Sequence, residues 1–327
     1  MRLVLLLMVL LSSSVSATVL KIATEYPDGN AVLKELREAG ERIATATDQR
    51  VTLKFYPGGV MGDGRSVQRK IRIGQLQGAF IHSGALAATY PDSQVLNAPL
   101  LFRDFSEVDA VRQQFDAELV QGFRDSGWIT FGLVEGGFAY AMTNEPVDDL
   151  QTLREQKLWL PANDPFSAKI AKAFNINPIA LNISDVLTAL QTGAINALVA
   201  PPVGAITLQW YSRVDYLTDA PFMYTYGLIA LSERALQPLS EDDLAVVTQE
   251  LTQATESLDA LARTDNRKAF EALTSLGLTI TSLDDEARRQ IEAEAGEAID
   301  VLIDSGEFDR GLYQRITDLL NQVRQSP

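Results

Sequence analysis

The first 65 residues after a short apolar start switch regularly between two periods, and that switching restricts the fold more than any other feature of the chain. Leu20–Thr24 is short and strand-like, and Ala31–Thr45 then places Leu33, Leu36, Ala39 and Ile43 on one helical face. Val51–Phe55 alternates Val51, Leu53 and Phe55 with Thr52 and Lys54. A helical stretch near Ser66–Ile73 leads to a third strand at Ala79–His82. Strand, helix, strand, helix, strand is the pattern of an α/β layer with parallel strands. Loops at the carboxyl ends of such strands gather at one rim of the sheet, where ligands bind. Glu25, the Tyr56-Pro57-Gly58-Gly59 turn and His82 all fall at that rim.

The style repeats further on. Ile129–Val134 reads as a strand broken by Glu135-Gly136-Gly137, and Phe138–Met142 resumes it. Lys157–Leu160 ends at Pro161 and is followed by a helix near Pro165–Phe174. Pro178–Leu181 leads to Ser184 as N-cap of a helix over Asp185–Gln191, which Gly193 stops. Ile195–Val199 is closed by Pro201-Pro202. From Ser240 the pattern turns helical: Ser240 with Asp243 forms a capping-box start, and no Gly or Pro intervenes before Gly277. This predicts one very long helix, or two sharing an axis. Ser282 with Asp285 opens another helix, and Leu312–Val323 makes a last one. Two α/β units joined by extended crossovers and strapped by helices suggest a hinged clamp around a cleft.

A chain of 327 residues is long enough for two such units. Its 28 basic and 43 acidic residues leave a formal charge of −15, which disfavours nucleic acid and anionic lipid as partners. Residues 1–17 combine Arg2, an apolar run from Leu3 to Leu11 and the small residues Val15-Ser16-Ala17, the signature of a secretory signal peptide. No later stretch is long and apolar enough to cross a membrane. The leader carries no cysteine for lipid attachment, so the expected location is the periplasm, without an anchor. With no cysteine and one histidine, a zinc site of His and Cys is excluded, and neither a metal nor a cofactor is expected.

Enzyme signatures are missing: no G-x-S-x-G elbow, no Walker loop and no G-x-G-x-x-G occur. Ser83 beside His82 cannot make a nucleophile–base pair, because adjacent strand residues face opposite ways. Asp148-Asp149 and Asp284-Asp285 stand where helices begin, which suits capping. His82 is either a structural histidine or a ligand contact.

Four stretches occur together in order: YPGGVMGDGRSVQRKIRIGQLQGAF, NAPLLFRD, EGGFAYAMTN and SDVLTALQTGAINAL. With them the chain resembles the extracytoplasmic solute-binding proteins of TRAP transporters, the DctP type, over nearly all its length after the leader. The resemblance implies a two-lobed α/β periplasmic-binding-protein clamp, with a ligand cleft between lobes and a long helix spanning both. It implies capture of a small organic anion for a membrane permease, with no catalysis. The crossovers place lobe I at 18–137 with 227–265, and lobe II at 138–226 with 266–327.

Departures from the family pattern are informative. Trp159 stands where the family usually carries an arginine that pairs with the ligand carboxylate. Ala139 stands where a second basic residue is common, Ala200 replaces an asparagine after Leu198 and Val199, and Ile183 replaces an aromatic. Burying a carboxylate against such a wall without a cation is costly. Trp159 is therefore expected to wall the cleft, unless it only packs between the lobes. Glu25 and His82 match first-lobe contacts of the family, and Tyr224 and Tyr226 of the return crossover could add aromatic wall with hydroxyl handles. The expected ligand is apolar or weakly polar, with a basic or hydroxyl end near Glu25 and His82. A carboxylate held by another cation, or a secreted enzyme reusing the fold, are the alternatives. The chain looks similar to a family subset that lacks the arginine and works with a TPR-repeat periplasmic protein; a monomer is expected.

Overall fold

The computed structural model describes residues 17–162 and 164–325, so all but Ala17 of the expected leader lies outside the described residues. The chain opens with β1 (Thr18–Thr24), α1 (Ala31–Ala46), β2 (Val51–Tyr56), α2 (Gly64–Arg72) and β3 (Gly78–His82). Leu33, Leu36, Ala39, Gly40 and Ile43 form the buried stripe of α1, whose first turn is capped by Asn30. β1 pairs in parallel with both β2 and β3, in registers that set Thr18 beside Val51 and Ile22 beside Gly78.

After β3 come α3 (Phe105–Asp125), β4 (Trp128–Thr130), β5 (Val134–Thr143), α4 (Leu150–Glu155), β6 (Leu158–Pro161), α5 (Pro165–Ala173) and β7 (Ile179–Leu181). Then follow α6 (Val186–Thr192), β8 (Ala197–Ala200), α7 (Pro202–Thr207), β9 (Tyr216–Thr218), β10 (Met223–Ser232) and α8 (Glu233–Leu236). The chain closes with α9 (Glu241–Ser275), β11 (Thr279–Thr281), α10 (Asp285–Asp304) and α11 (Arg310–Gln325). The sheet runs β2-β1-β3-β10-β5-β8-β6-β7, with β4, β9 and β11 paired at its sides.

The two long central strands carry the chain from one half to the other. β10 pairs with β3 through Gly227–Leu231 and with β5 through Met223–Gly227. β5 in turn pairs with β8 through Tyr140–Thr143. Glu135-Gly136-Gly137 does not break β5, contrary to the sequence expectation. Tyr226 lies opposite Glu135 and Thr225 opposite Gly137, leaving Gly136 as the extra residue of a β-bulge. The real interruption falls just before, between β4 and β5, at Phe131-Gly132-Leu133.

α9 is one uninterrupted helix of 35 residues, about 52 Å long at 1.5 Å per residue. Val247, Leu251, Ala254 and Leu258 pack it into the core of the first half, and Leu273 joins the core of the second. Ser240 caps it by accepting from the Asp243 amide at 3.1 Å, while the Asp243 carboxylate turns to Arg50 at 2.9 Å. Two caps differ from expectation: Asp284, not Ser282, caps α10, and a 3-10 turn at Ile183–Asp185 leaves α6 without a side-chain cap. Gly193 closes α6 in the left-handed conformation, as expected. Among the described residues no helix is long and apolar enough to cross a membrane.

Candidate functional site

The first-half rim is held by backbone bonds before any side chain acts. Gly58 N donates to Tyr26 O at 2.8 Å and Gly59 N to Thr24 O at 3.1 Å, so the Tyr-Pro-Gly-Gly turn ties down the segment that carries Glu25. Positive φ at both glycines, 66° and 70°, is what this turn needs. Glu25 follows β1 and His82 ends β3; both are half-buried. Neither side chain has a hydrogen bond or ion pair among the described residues. Below them Ser83 donates to Asn97 at 2.7 Å, Gln94 donates to Ser83 O at 3.0 Å, and Asn97 donates to Tyr224 O at 2.9 Å. This buried amide floor was not singled out from the sequence, although Asn97 opens the recognised NAPLLFRD run. Ser83 thus turns away from His82 toward Asn97.

The second half supplies an apolar wall. Ala139 lies opposite Met223 on the β5–β10 ladder, and Ala200 ends β8; both are buried. Trp159 sits on β6 between Ile179 and Leu198. Leu158 and Leu160 point into one core cluster and Trp159 into another, as strand alternation requires. Trp159 packs edge-on against Trp210 with centroids 5.0 Å apart, and its indole N–H donates to Leu181 O at 3.0 Å. Ile183 is partly exposed on the turn that follows β7.

These walls enclose a cavity of about 1070 Å³, at the upper end of the range for small-molecule sites. Glu25, His82, Ala139, Trp159, Ile183, Ala200 and Tyr226 all line it. Trp159 is therefore cleft wall and lobe core at once. Tyr224 is not among the lining residues: it is buried against Phe102 and Phe138, and its hydroxyl meets Arg112 of α3 at 3.3 Å. Tyr226 lines the cavity, but its hydroxyl is spent on Ser93 O at 2.5 Å, inside the fold. Neither tyrosine offers the hydroxyl handle that the sequence suggested. Burial drives both phenol pKa values upward, so both stay protonated.

The two halves touch across the cleft. Asp164 caps α5 through the Ser167 amide at 2.9 Å and hydroxyl at 2.6 Å. Its carboxyl group lies against the backbone of Gly84, where a Cβ would stand 2.7 Å from Asp164 Cγ. At the crossover itself, Glu135 of β5 is buried and pairs with Arg263 of α9 at 2.6 Å. Burial raises the Glu135 pKa against the opposing pull of that guanidinium. Arg112 meets Asp259 at 2.8 Å, and the Glu135 amide donates to Asp259 at 2.7 Å. Among the described residues no cluster of His, Asp and Glu is placed to hold a metal ion.

Comparison with known proteins places this geometry. The family model for bacterial extracellular solute-binding proteins, family 7 (DctP), matches residues 22–304. The sialic acid-binding periplasmic protein SiaP of Vibrio cholerae is 22% identical over 310 residues, covering 93% of this chain and 92% of its own. The C4-dicarboxylate-binding periplasmic protein DctP of Rhodobacter capsulatus is 21% identical, covering 79% and 77%. The galactonate complex of the sugar acid binding protein DctPAm from Advenella mimigardefordensis superposes with a TM-score of 0.83 at 19% identity, over 94% of this chain and 99% of that one. A TRAP periplasmic solute binding protein from Haemophilus influenzae with bound L-gulonate gives 0.83 at 20% identity, over 92% and 99%. With a two-lobed fold, a cleft between the lobes and a family match over most of its length, the chain belongs to the DctP family of bacterial extracellular solute-binding proteins.

Proposed function

We propose that this protein is the extracytoplasmic receptor of a TRAP-type secondary importer, and that its solute is an apolar or weakly polar organic molecule delivered to the membrane permease. The lobes of this reading are residues 18–137 with 227–265 and 138–226 with 266–327, since the β5–β10 crossover lies between them. Family membership supports the receptor role; the leader-like residues 1–17 support export to the periplasm. Likeness to the arginine-lacking subset supports a TPR-repeat partner.

The observation that carries the solute class is the wall at Ala139, Trp159, Ile183 and Ala200. The related proteins named for their ligands bind carboxylic acids. Here the indole of Trp159 fills the wall and has already committed its N–H to Leu181. Of the cations that line the cavity, Arg324 is bonded to Glu107 at 2.7 Å, and Lys34 lies 3.9 Å from Glu38. A carboxylate pressed against Trp159 and Ile183 would lose water and gain no fork.

A second reading keeps a carboxylate solute and rests on Arg103 and Arg288, which line the cavity without an ion-pair partner among the described residues. Calorimetric titration with succinate, malate and fumarate separates the two. The proposal expects no binding tighter than millimolar, and micromolar affinity for any of them would overturn it. Mass spectrometry of whatever copurifies with the folded protein then identifies the solute directly.

A further inference from the structure

The polar end of the cleft includes acceptors that no donor of the fold satisfies. Glu25 is half-buried, and its carboxyl group has no hydrogen-bond or ion-pair partner among the described residues. Gln94, fully buried where it lines the same cavity, spends its amide N–H groups on Ser83 O at 3.0 Å and on Ser93 Oγ at 2.7 Å. Its Oε1 is left buried with no hydrogen-bond partner. A buried acceptor without a donor is costly, so such an atom marks a place where a donor belongs. Asp164 lines the same cavity from the second half; its carboxylate is bonded to Ser167 and is paired with no cation among the described residues.

His82, in the same half, has an imidazole with no hydrogen bond among the described residues, which can accept or donate, and Tyr26 and Asn30 line the cavity beside Glu25. The basic residues of the cavity are carried by segments other than the strand ends. Arg103 precedes α3, Arg288 is on α10 and Arg324 is on α11, whereas Glu25 and His82 follow β1 and β3. Lys34 on α1 has Glu38 one turn away and is largely exposed. An anionic head at Glu25 would meet like charge and an acceptor that gives it nothing. A cationic donor satisfies both groups at once, through a charge-assisted bond to the carboxylate and an ordinary one to the amide oxygen. Beyond them the surface turns apolar at Trp159, Ile183 and Phe222.

We propose that the solute is an amphiphilic organic amine, its ammonium donating to Glu25 with Gln94 Oε1 as the second acceptor, and its hydrocarbon body lying against Trp159, Ile183 and Phe222. This rests on the apolar-cleft reading above and sharpens it. The test uses the full mature chain, freed of copurifying solute by unfolding and refolding, and three probes of one length: octylamine, octan-1-ol and octanoate. Calorimetry at neutral pH is expected to rank octylamine tightest, by about tenfold over octan-1-ol, with octanoate weakest. Glu25→Gln should weaken octylamine by about tenfold and leave octan-1-ol unchanged. Glu25→Lys should reverse the order in favour of octanoate, a gain that a misfolded variant cannot show. Binding of octanoate or octan-1-ol as tightly as octylamine, or a Glu25→Gln variant with an unaltered ranking, overturns the amine assignment and leaves the apolar cleft standing. Silence toward all three probes overturns the apolar-cleft reading, and the amine assignment falls with it.

Discussion

Trp159 carries two loads with one ring, and its replacement separates them. Its edge-on contact with Trp210 and its bond to Leu181 O belong to stability, and the surface it turns to the cavity belongs to the solute. Trp159→Ala should cost about 3–5 kcal/mol, the range for removing a buried aromatic side chain, read as a lower urea midpoint. Trp159→Phe keeps an aromatic contact and loses only the indole bond to Leu181 O, which still accepts from the Ala162 amide at 3.1 Å, so a smaller loss of about 1 kcal/mol is expected. If the two variants fell equally, the packing account of this residue would fail. The side chain's identity was plain in the sequence, and so was its place at the end of a strand. Its partner was not, because Trp210 lies on a different element and strand alternation says nothing about what faces a side chain. Tyr224 and Tyr226 show the same limit. Their hydroxyls are taken by Arg112 and Ser93, more than a hundred positions away, and no local pattern records that distance.

At the level of elements, helix starts were legible only in part: acidic pairs marked two of them, Ser184 and Ser282 cap no helix among the described residues, and Asp104 was not singled out. Asp149 and Asp284 cap α4 and α10, and Asp104 caps α3 through the Ser106 and Glu107 amides at 2.8 and 3.1 Å. The Ser106 hydroxyl and these amides hold the Asp104 carboxyl below the usual carboxylate range. Asp104→Ala should therefore destabilise the protein by about 1 kcal/mol at neutral pH. The sign with pH follows from linkage. A depressed native pKa means that the unfolded chain takes up the proton first on acidification. The stabilisation is present above the unfolded value of about 4 and is lost as pH falls through the native one. The gap between wild type and Asp104→Ala in urea denaturation should narrow from pH 6 to about pH 3; a constant gap would show that the carboxylate charge is not what caps α3. The Gly136-Gly137 pair was harder to interpret. Two glycines ordinarily signal a turn, but here Thr225 Oγ1 donates to Gly137 O at 2.9 Å and Asn266 donates to Gly136 O at 2.9 Å, so the strand continues through a bulge. Those bonds come from two distant segments, which is why the local sequence suggested a break.

For the whole molecule, the alternation of strand and helix, the long helix and the two-lobed layout were legible, since they rest on periodicity and on the absence of breakers. The closeness of the halves was not, because it depends on the Asp164 carboxyl group meeting the Gly84 backbone from the other half. Closure on a solute should bury apolar wall, so binding should show a negative heat-capacity change, and small-angle scattering should report a smaller radius of gyration in the bound form. A tight solute that leaves the radius unchanged would favour a preformed site over a clamp. The crossover strands imply something about how such a movement is steered. β5 and β10 are hydrogen-bonded to each other where they cross, so the two connections form one ribbon and cannot swing separately. Asn266 of α9 touches this ribbon at the bulge and also receives the Val203 amide of α7 at 3.4 Å, so a single amide holds the pivot and the second half together. Any rotation of one half against the other would therefore turn both strands together, like a door on a single pin, far from the atoms that line the cavity.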